Sequence, residues 1–469
     1  MRTRRIVCLT TMAALAVPTL ALSQTRGASR DVIARAADSI AQAVLQRGRV
    51  AAMSIAVVRG RDTIVMKGYG MADIENEVPA TAQTVYRIGS VTKQFTSVAV
   101  MQLVQQGKIS LDDEITKYVP NAPVHGRKIL VRHLMNHTSG IPSYTDVGPV
   151  FGRVMRQDLS HDSLLAVVRN DSLQFEPGSH FYYNNTGYYL LGMIIEKVTG
   201  KKYGDYLREV LFTPNGLTST IYCSESPLIK RRARGYNDSP AGLVNTDYIS
   251  MDLPYAAGSL CSTVGDLVAW TRLLHSGKLV NSASFAAMTT PVKLTSGRPM
   301  SYGFGLSVDT VGAHRRIHHG GGINGFISEL AHYPDDSLTI VVLSNTSPAP
   351  SNQVADNLAR IAFGMPIPAP TPPADLPVAA DEGTRVAGNY RVTWPDGSKR
   401  PARVYADGER LMIQIDGQPT AGARLLKQAA PNTYVAQGLG RIVFDVSGNA
   451  ATGFYIDAGA RPREAVRVP

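Results

Sequence analysis

The order of periodic segments along the chain is the feature that most limits its fold. A helical pattern comes first, two strand-like segments follow around a Gly-containing turn, and a long, mostly helical middle separates them from three more strand-like segments and a final helix. This order predicts an α+β fold in which both ends of the region build one sheet, with an inserted helical lobe and a cleft between them. The segments are residues 31–46, 53–58, 63–66, 314–319, 326–333, 337–344 and 353–363.

A second, smaller domain is predicted after this region. The chain has 469 residues, which is enough for one large domain and a small one. Five prolines between residues 366 and 373 indicate a stiff linker, and from about residue 386 short alternating segments are separated by glycines. We therefore expect a large domain over 24–364, a linker over 365–385 and a small all-β domain over 386–469.

The first 23 residues have the pattern of a secretory signal peptide. Three arginines within the first five residues precede an uncharged stretch over 6–22, and Ala21-Leu22-Ser23 ends it in a small-x-small cleavage pattern. A retained membrane anchor is the alternative, but threonines and a proline interrupt the stretch. We expect cleavage after residue 23, export to the periplasm or the cell exterior, and no transmembrane span in the mature chain.

Two cysteines remain once the signal peptide is removed. Cys8 lies in the removed segment, which leaves Cys223 and Cys261 in a compartment where a disulfide can persist. We predict that they are bridged, and two separate buried thiols are the alternative. The spacing of the cysteines supports no metal site, and none is predicted.

Composition and charge exclude several classes of protein. Hydrophobic residues make up 44% and charged residues 18% of the chain, which is typical of a globular protein and not of a disordered or multi-pass membrane protein. The net charge of +11 falls to +8 without the three signal-peptide arginines. A basic run over 230–234 is interpreted as a solvated loop, so no nucleic-acid partner is predicted.

The first chemical motif is Ser90-Val91-Thr92-Lys93, at the start of a predicted helix. Residues three apart lie on one face of a helical turn, so Lys93 can take the proton of the Ser90 hydroxyl. Alone the motif is weak, because serine is a common N-cap residue and lysine is common on helices.

The second motif is Tyr183-Asn184-Asn185, just before another predicted helix. A phenol can shuttle a proton and an amide can hold a substrate carbonyl, although for this motif alone ordinary helix capping by Asn is the better explanation.

The third motif is the run of two histidines and three glycines over 318–322, at the end of a predicted strand. Glycines let a substrate approach and expose backbone N–H groups, which suits an oxyanion hole, while a flexible turn is the alternative.

Together the three motifs resemble the serine β-lactamase and penicillin-binding protein family, in order and in context. The resemblance covers about residues 36–364 and is closest to the branch with class C β-lactamases, D-stereospecific peptidases and β-lactamase-like esterases. It implies a β-lactamase/transpeptidase-like antiparallel sheet flanked by helices. Further similar stretches are Gly68-Tyr69-Gly70, Leu111-Asp112-Asp113, His137-Thr138-Ser139-Gly140-Ile141-Pro142 and Thr263-Val264-Gly265-Asp266-Leu267.

The resemblance assigns roles to individual residues. It implies that Ser90 attacks the acyl carbonyl, that Lys93 and Tyr183 share the general-base and general-acid roles, and that Asn185 positions Lys93 and the substrate. The oxyanion is expected between the N–H groups of Ser90 and Gly322. No metal or organic cofactor is required.

One departure from the family bears on the substrate. The third motif carries His where most β-lactamases carry Lys, so the fixed cation that pairs with a β-lactam carboxylate is missing or conditional. Both His318-x-Gly320 and His319-x-Gly321 fit the pattern, and strand alternation lets one of them point into the cleft. We choose His319 and Gly321 as substrate-binding residues, because the residues that follow Gly321 match the family best.

Two classes of function are compatible with the sequence. The first is a serine hydrolase of small esters, amides or D-amino-acid peptides, cell-wall peptides included, with a weak β-lactamase as a variant. The second is a catalytically silent protein that recognises penicillin or the cell wall. The three motifs together favour the enzyme, and an α/β-hydrolase esterase is disfavoured because no Gly-x-Ser-x-Gly occurs in the chain.

Overall fold

The computed structural model describes residues 27–368, 373–394, 398–408, 410–417, 422–457 and 463–468. The predicted signal peptide, with Cys8, lies outside them. The helices are α1 (Arg30–Gln46), α2 (Thr92–Gln105), α3 (Val131–Met135), α4 (Pro149–Val154), α5 (His161–Ala166), α6 (Asn185–Thr199), α7 (Tyr203–Leu207), α8 (Tyr255–Gly258), α9 (Val264–His275), α10 (Ser282–Thr289), α11 (Ser351–Ala362) and α12 (Ala380–Val386). The strands of the large domain are β1 (Ala52–Arg59), β2 (Asp62–Asp73), β3 (Val78–Pro79), β4 (Tyr86–Arg87), β5 (Ile221–Tyr222), β6 (Tyr236–Ser239), β7 (Gly242–Asn245), β8 (Leu260–Ser262), β9 (Ser307–Val311), β10 (His314–Ile323), β11 (Phe326–Tyr333), β12 (Leu338–Ser344) and β13 (Thr346–Ser347). Those of the C-terminal domain are β14 (Gly388–Thr393), β15 (Lys399–Asp407), β16 (Arg410–Ile415), β17 (Ala423–Lys427), β18 (Thr433–Ala436), β19 (Gly440–Ser447), β20 (Ala450–Asp457) and β21 (Arg463–Val468).

A seven-stranded antiparallel sheet forms the centre of the large domain. Its order is β3-β2-β1-β12-β11-β10-β9, so β1 from the first hairpin pairs with β12 from the last one, with Ile55 opposite Val342. The prediction of one sheet from both ends of this region is confirmed. The first hairpin is longer than predicted, because β2 continues to Asp73, where β3 pairs with it.

Helices cover both faces of this sheet, which explains why β1 is buried along nearly its whole length. On one face α1 and α11 pack on the strands, and on the other face the inserted lobe does. Burying one large aliphatic side chain contributes roughly 1.5–3 kcal/mol, so the two layers together form the main source of stability. The first layer includes Ile33, Ala37, Ile55, Val342 and Leu358, and the second includes Ala56, Phe95, Val98, Val341 and Leu343.

Helix α2 lies in the interior of the lobe and carries the first motif at its N-terminus. Phe95 stacks on Trp270 of α9 with ring centroids 3.8 Å apart, and the Trp270 indole donates a hydrogen bond to Gln94 at 2.7 Å. The Gln94 side-chain oxygen is therefore paired in the interior, which helps to fix the start of the helix in place. None of the helices in the described residues is both long and apolar enough to cross a membrane.

The glycine run of the third motif is part of a strand. Sequence patterns ended the strand near residue 319, whereas β10 continues to Ile323 and pairs with β11 through Gly320, Gly321 and Gly322. The interpretation of these glycines as a flexible turn is therefore wrong. Ladder hydrogen bonds to β11 hold them extended.

The C-terminal domain is a closed barrel of eight strands, β14 to β21, around an aromatic and aliphatic core. The small all-β domain is thus confirmed as a barrel. The linker differs from the prediction over its last residues, because Ala380–Val386 form α12 and Val386 is buried in the barrel core. Glu382 of α12 accepts a hydrogen bond from the Tyr434 hydroxyl at 2.8 Å and pairs with Lys427, which fixes the helix on the barrel.

Cys223 and Cys261 form a disulfide, with Cα atoms 5.2 Å apart and both side chains buried. Cys261 belongs to β8, which also pairs with β4, the strand just before Ser90. The bond therefore ties the strand beside the first motif to the segment that follows β5.

Removing the disulfide is expected to lower the free energy of unfolding by about 2–4 kcal/mol, because the bond closes a long loop in the unfolded chain. The test is urea unfolding of the Cys223→Ser/Cys261→Ser variant beside the oxidised wild type. Reductant should bring the wild type to the level of the variant and leave the variant unchanged. Equal stability of the variant and the oxidised wild type would contradict the expectation.

Candidate active site

Ser90 lies in a short 3-10 turn, Gly89–Val91, between β4 and α2. The backbone of β8 fixes this turn, because the Ile88 N–H donates to the Leu260 carbonyl at 3.0 Å and the Leu260 N–H donates to the Thr92 hydroxyl at 3.1 Å. The sequence thus places the serine at the N-terminus of a buried helix, where backbone N–H groups and the helix dipole favour negative charge.

Lys93 is fully buried, and its amine is held by polar partners from three elements. Hydrogen bonds join Nζ to the Ser90 hydroxyl at 3.1 Å, to Asn185 Oδ1 at 2.8 Å and to the Ala257 carbonyl at 2.9 Å. These partners lie in the turn before α2, at the start of α6 and in α8. The first motif is thereby connected to the second.

The two asparagines of the second motif make different contacts. Asn184 caps α6, since its Oδ1 accepts from the Gly187 N–H at 2.7 Å. The capping interpretation therefore applies to Asn184. Asn185 instead contacts Lys93 through its Oδ1, and its Nδ2 donates to the Thr145 hydroxyl at 3.1 Å. This second bond orients the amide so that its oxygen points at the lysine.

Tyr183 brings an aromatic ring to the same amine. The Lys93 Nζ lies 4.7 Å from the centroid of the Tyr183 ring, a distance at which a cation and an aromatic face attract each other. The ring also packs on His137 at 4.3 Å and lies 6.0 Å from the imidazole of His319. The phenol thus belongs to the same cluster as the serine and the lysine.

The two histidines of the third motif point to opposite faces of β10. His319 lies on the same face as Ser90, is buried, and its Nε2 is 2.9 Å from the Tyr302 hydroxyl. His318 lies on the other face, where it contacts Glu329 at 2.8 Å and Asp309 at 3.4 Å. His319, the residue chosen from the sequence, is therefore the histidine on the Ser90 face of β10, and its hydrogen-bond partner there is Tyr302.

The protonation states of these histidines follow from their partners. Burial, together with the nearby charge of Lys93, lowers the pKa of His319 to about 3, so its imidazole is neutral near neutral pH. Burial also disfavours charge on His318, but its hydrogen bonds to Asp309 and Glu329 outweigh this and raise its pKa to about 9. The Ser90 face of β10 therefore presents a neutral side chain at the position where the family motif usually has Lys.

Gly321 lets β10 approach the serine turn. A Cβ at this position would lie 2.0 Å from the Ile88 carbonyl oxygen and 2.3 Å from the Ser328 hydroxyl, which no real side chain tolerates. The next residue, Gly322, also lies against the turn, since a Cβ on Gly89 would lie 2.9 Å from the Gly322 nitrogen. The N–H groups of Ser90 and Gly322 are thus carried by adjoining backbone segments, as an oxyanion hole requires.

Ser90 lines two cavities. A small one of about 120 Å³ is bounded by Tyr144, Asn185 and Gly322. A larger one of about 700 Å³ lies on the side of Tyr183 and His319. A third cavity, of about 820 Å³, is in the helical lobe and contains none of the predicted site residues.

Sequence reasoning missed several members of this site. The Ala257 carbonyl has no side-chain signature, and Tyr302 lies in an irregular segment far from any motif. His137 did carry a signal, because it opens a family-like stretch, and its Nδ1 accepts from the Asn184 N–H at 3.0 Å. Within the described residues, no group of three or more His, Cys, Asp or Glu side chains is arranged to hold a metal ion.

The β-lactamase family model matches residues 37–364 of this chain. That span contains the whole sheet, the inserted lobe and all of the residues described around Lys93. The chain belongs to the β-lactamase family. The sheet and lobe are accordingly those of the β-lactamase/transpeptidase-like fold, and β-lactamase-fold serine hydrolases are its relatives.

Individual members of the β-lactamase family are similar to this chain at 25–28% identity. Penicillin-binding protein 4* of Bacillus subtilis (strain 168) is 28% identical, over 88% of this chain and 94% of its own. The octameric penicillin-binding protein homologue from Pyrococcus abyssi is 25% identical with a TM-score of 0.63, over 92% of this chain and 99% of its own. The D-amino acid amidase from Ochrobactrum anthropi SV3 is 28% identical with a TM-score of 0.63, over 71% and 99%.

The close approach at Gly321 generates a prediction for Gly321→Ala. The added Cβ must push β10 away from the turn that carries Ser90, so covalent labelling by a fluorophosphonate should slow by about tenfold or more. Gly152→Ala is the matched control, because a Cβ on Gly152 meets no atom within 4 Å. Labelling of Gly321→Ala at the wild-type rate, with an unchanged circular dichroism spectrum, would contradict the geometry.

Proposed function

We propose that this chain is an exported serine hydrolase that forms an acyl-enzyme through Ser90 on small esters, amides or D-amino-acid peptides. The observation that carries the proposal is the environment of the Lys93 amine, which touches Ser90, Asn185 and the Ala257 carbonyl at the same time. A neutral amine has two N–H donors and one lone pair. The charged amine donates to all three oxygens, and after the loss of one proton it can donate to the two carbonyl oxygens and accept from the Ser90 hydroxyl, which is the arrangement that a general base needs.

The steps of the reaction follow from this arrangement. Ser90 Oγ attacks the substrate carbonyl while Lys93 takes its proton, and Tyr183, packed on the same amine, shares in proton transfer to the leaving group. The N–H groups of Ser90 and Gly322 receive the developing oxyanion. Water then attacks the ester, and the same groups return the proton to Ser90.

Charge in the cleft supports neutral substrates over β-lactams. His319 supplies no cation near neutral pH, so a β-lactam carboxylate gains little there. Similarity to a D-amino acid amidase supports an acyl donor without a carboxylate, since an amino acid amide has none. Esters and amides of small or D-configured acyl groups are therefore the proposed substrate class.

Export is part of the proposal. The N-terminal pattern supports it, and the disulfide between Cys223 and Cys261 is compatible with an oxidising compartment.

Substitution of the two motif residues tests the proposal. Ser90→Ala should abolish hydrolysis across a panel of 4-nitrophenyl esters, D-amino-acid amides and nitrocefin, and Lys93→Met should lower kcat/KM by about a hundredfold to ten-thousandfold, because methionine fills the space and accepts no proton. The exposed Lys108→Met is the matched control and should keep the wild-type rates. A Lys93→Met enzyme within a few-fold of wild type would refute the assigned base, and activity in Ser90→Ala would refute the nucleophile.

A further inference from the structure

The C-terminal barrel contributes to the larger cavity at Ser90. Tyr455 of β20 lines this cavity together with Ser90, Tyr183 and His319 of the large domain. Arg298, from the irregular segment between α10 and β9, lines it too, with its guanidinium 5.3 Å from the Tyr455 ring. Both domains therefore form walls of one cavity of about 700 Å³.

Arg298 is paired with carboxylates of the barrel. Its Nη1 donates to Glu464 of β21 at 3.1 Å, and its Nη2 donates to Asp445 of β19 at 3.0 Å. Glu464 also meets His180 at 2.8 Å. Burial works against the charge of Glu464, but His180 and Arg298 lower its pKa, so it is ionised near neutral pH. The positive charge of Arg298 is thus offset by two anions from the other domain.

The other charged side chains of the cavity are paired as well. Asp309 binds Arg316 at 2.7 Å, and His318 is hydrogen-bonded to Glu329. The remaining polar lining near the serine includes the neutral imidazole of His319. A carboxylate on a substrate would therefore enter a cavity whose cations already have anionic partners, and would lie near the carboxylates that hold Arg298.

We propose that Arg298, Asp445 and Glu464 form a charge lock that sets substrate specificity: the barrel carboxylates neutralise Arg298, so the site selects uncharged esters and amides over substrates with a carboxylate. The inference rests on the proposed hydrolase function. It assigns the barrel a part in the choice of substrate. It also makes Arg298 a latent carboxylate site, which opens when the barrel anions are removed.

A pair of esters that differ in one group tests the charge lock on the full chain. The substrates are meta-carboxyphenyl acetate and meta-carbamoylphenyl acetate, and the measured quantity is the ratio of kcat/KM for the acid to that for the amide. In Asp445→Asn/Glu464→Gln this ratio should rise by about fivefold to tenfold, because the freed guanidinium can pair with the carboxylate. Asp375→Asn is the matched control, since it breaks a barrel ion pair with Arg424 at a separate cavity, and should leave the ratio unchanged.

A triple variant separates the charge of Arg298 from a simple opening of the cleft. Adding Arg298→Gln to the double variant should remove most of the gain. An unchanged ratio in the double variant, or the same rise in the triple variant, would overturn the inference.

A binding experiment keeps this inference apart from the proposed function. In a Ser90→Ala background, calorimetric titration compares N-acetyl-D-phenylalanine with its amide, and no turnover is needed. The charge lock predicts that Asp445→Asn/Glu464→Gln tightens binding of the acid relative to the amide. If the wild type hydrolyses neither ester, the hydrolase proposal fails while this result still decides the role of Arg298. If the affinity of the acid relative to the amide is the same in Ser90→Ala with and without Asp445→Asn/Glu464→Gln, the charge lock alone fails.

Discussion

The buried amine of Lys93 is the interaction on which the rest of the site depends. An amine inside a protein must keep its hydrogen bonds, because a buried polar group without them costs several kcal/mol. Here the bonds come from the turn before α2, from α6 and from α8, so these three elements must stay in one arrangement. Hydrogen bonds from neighbouring side chains stabilise that arrangement. The Thr96 hydroxyl donates to the Ala256 carbonyl at 2.7 Å and holds α8, Asn184 caps α6, and Thr145 orients Asn185.

The sheet supplies the second half of the cleft by bringing backbone close to that amine. Strand β10 can lie against the serine turn because Gly321 has no side chain. The Ser328 hydroxyl of the neighbouring strand β11 donates to the Ile88 carbonyl at 2.8 Å, which holds the sheet against the turn. The cleft thus combines a buried, largely apolar lobe around Ser90, Lys93 and Tyr183 with a strand that offers N–H groups and a neutral imidazole. The barrel forms one wall of the larger cavity at Ser90, where Tyr455 lines the cavity and the barrel carboxylates pair with Arg298.

Local patterns in the sequence predict the elements but not the long-range contacts that complete them. The order of strands and helices was enough to predict one sheet built from both ends of the region. Strand alternation limited the choice to one of the two histidines, and the residues after Gly321 selected His319. The Ala257 carbonyl, the Tyr302 hydroxyl and the carboxylates at Arg298 had no such signal, since each meets its partner through tertiary packing across many residues. The glycines of β10 were open to two interpretations, because a glycine run suits a turn as well as a strand, and the pairing with β11 decides between them. Helix α12 was not predicted because the prolines just before it indicated an extended linker. The burial of Val386 in the barrel core explains why the helix forms.

Mass spectrometry of the enzyme quenched in the first turnover shows whether Ser90 carries the acyl group during turnover. With a slowly released aromatic ester, the peptide containing Ser90 should gain the mass of one acyl group. The adduct should appear before the steady state is reached and should be lost as product forms. Turnover with no acyl adduct on that peptide, or with the adduct on another residue, would rule out Ser90 as the nucleophile.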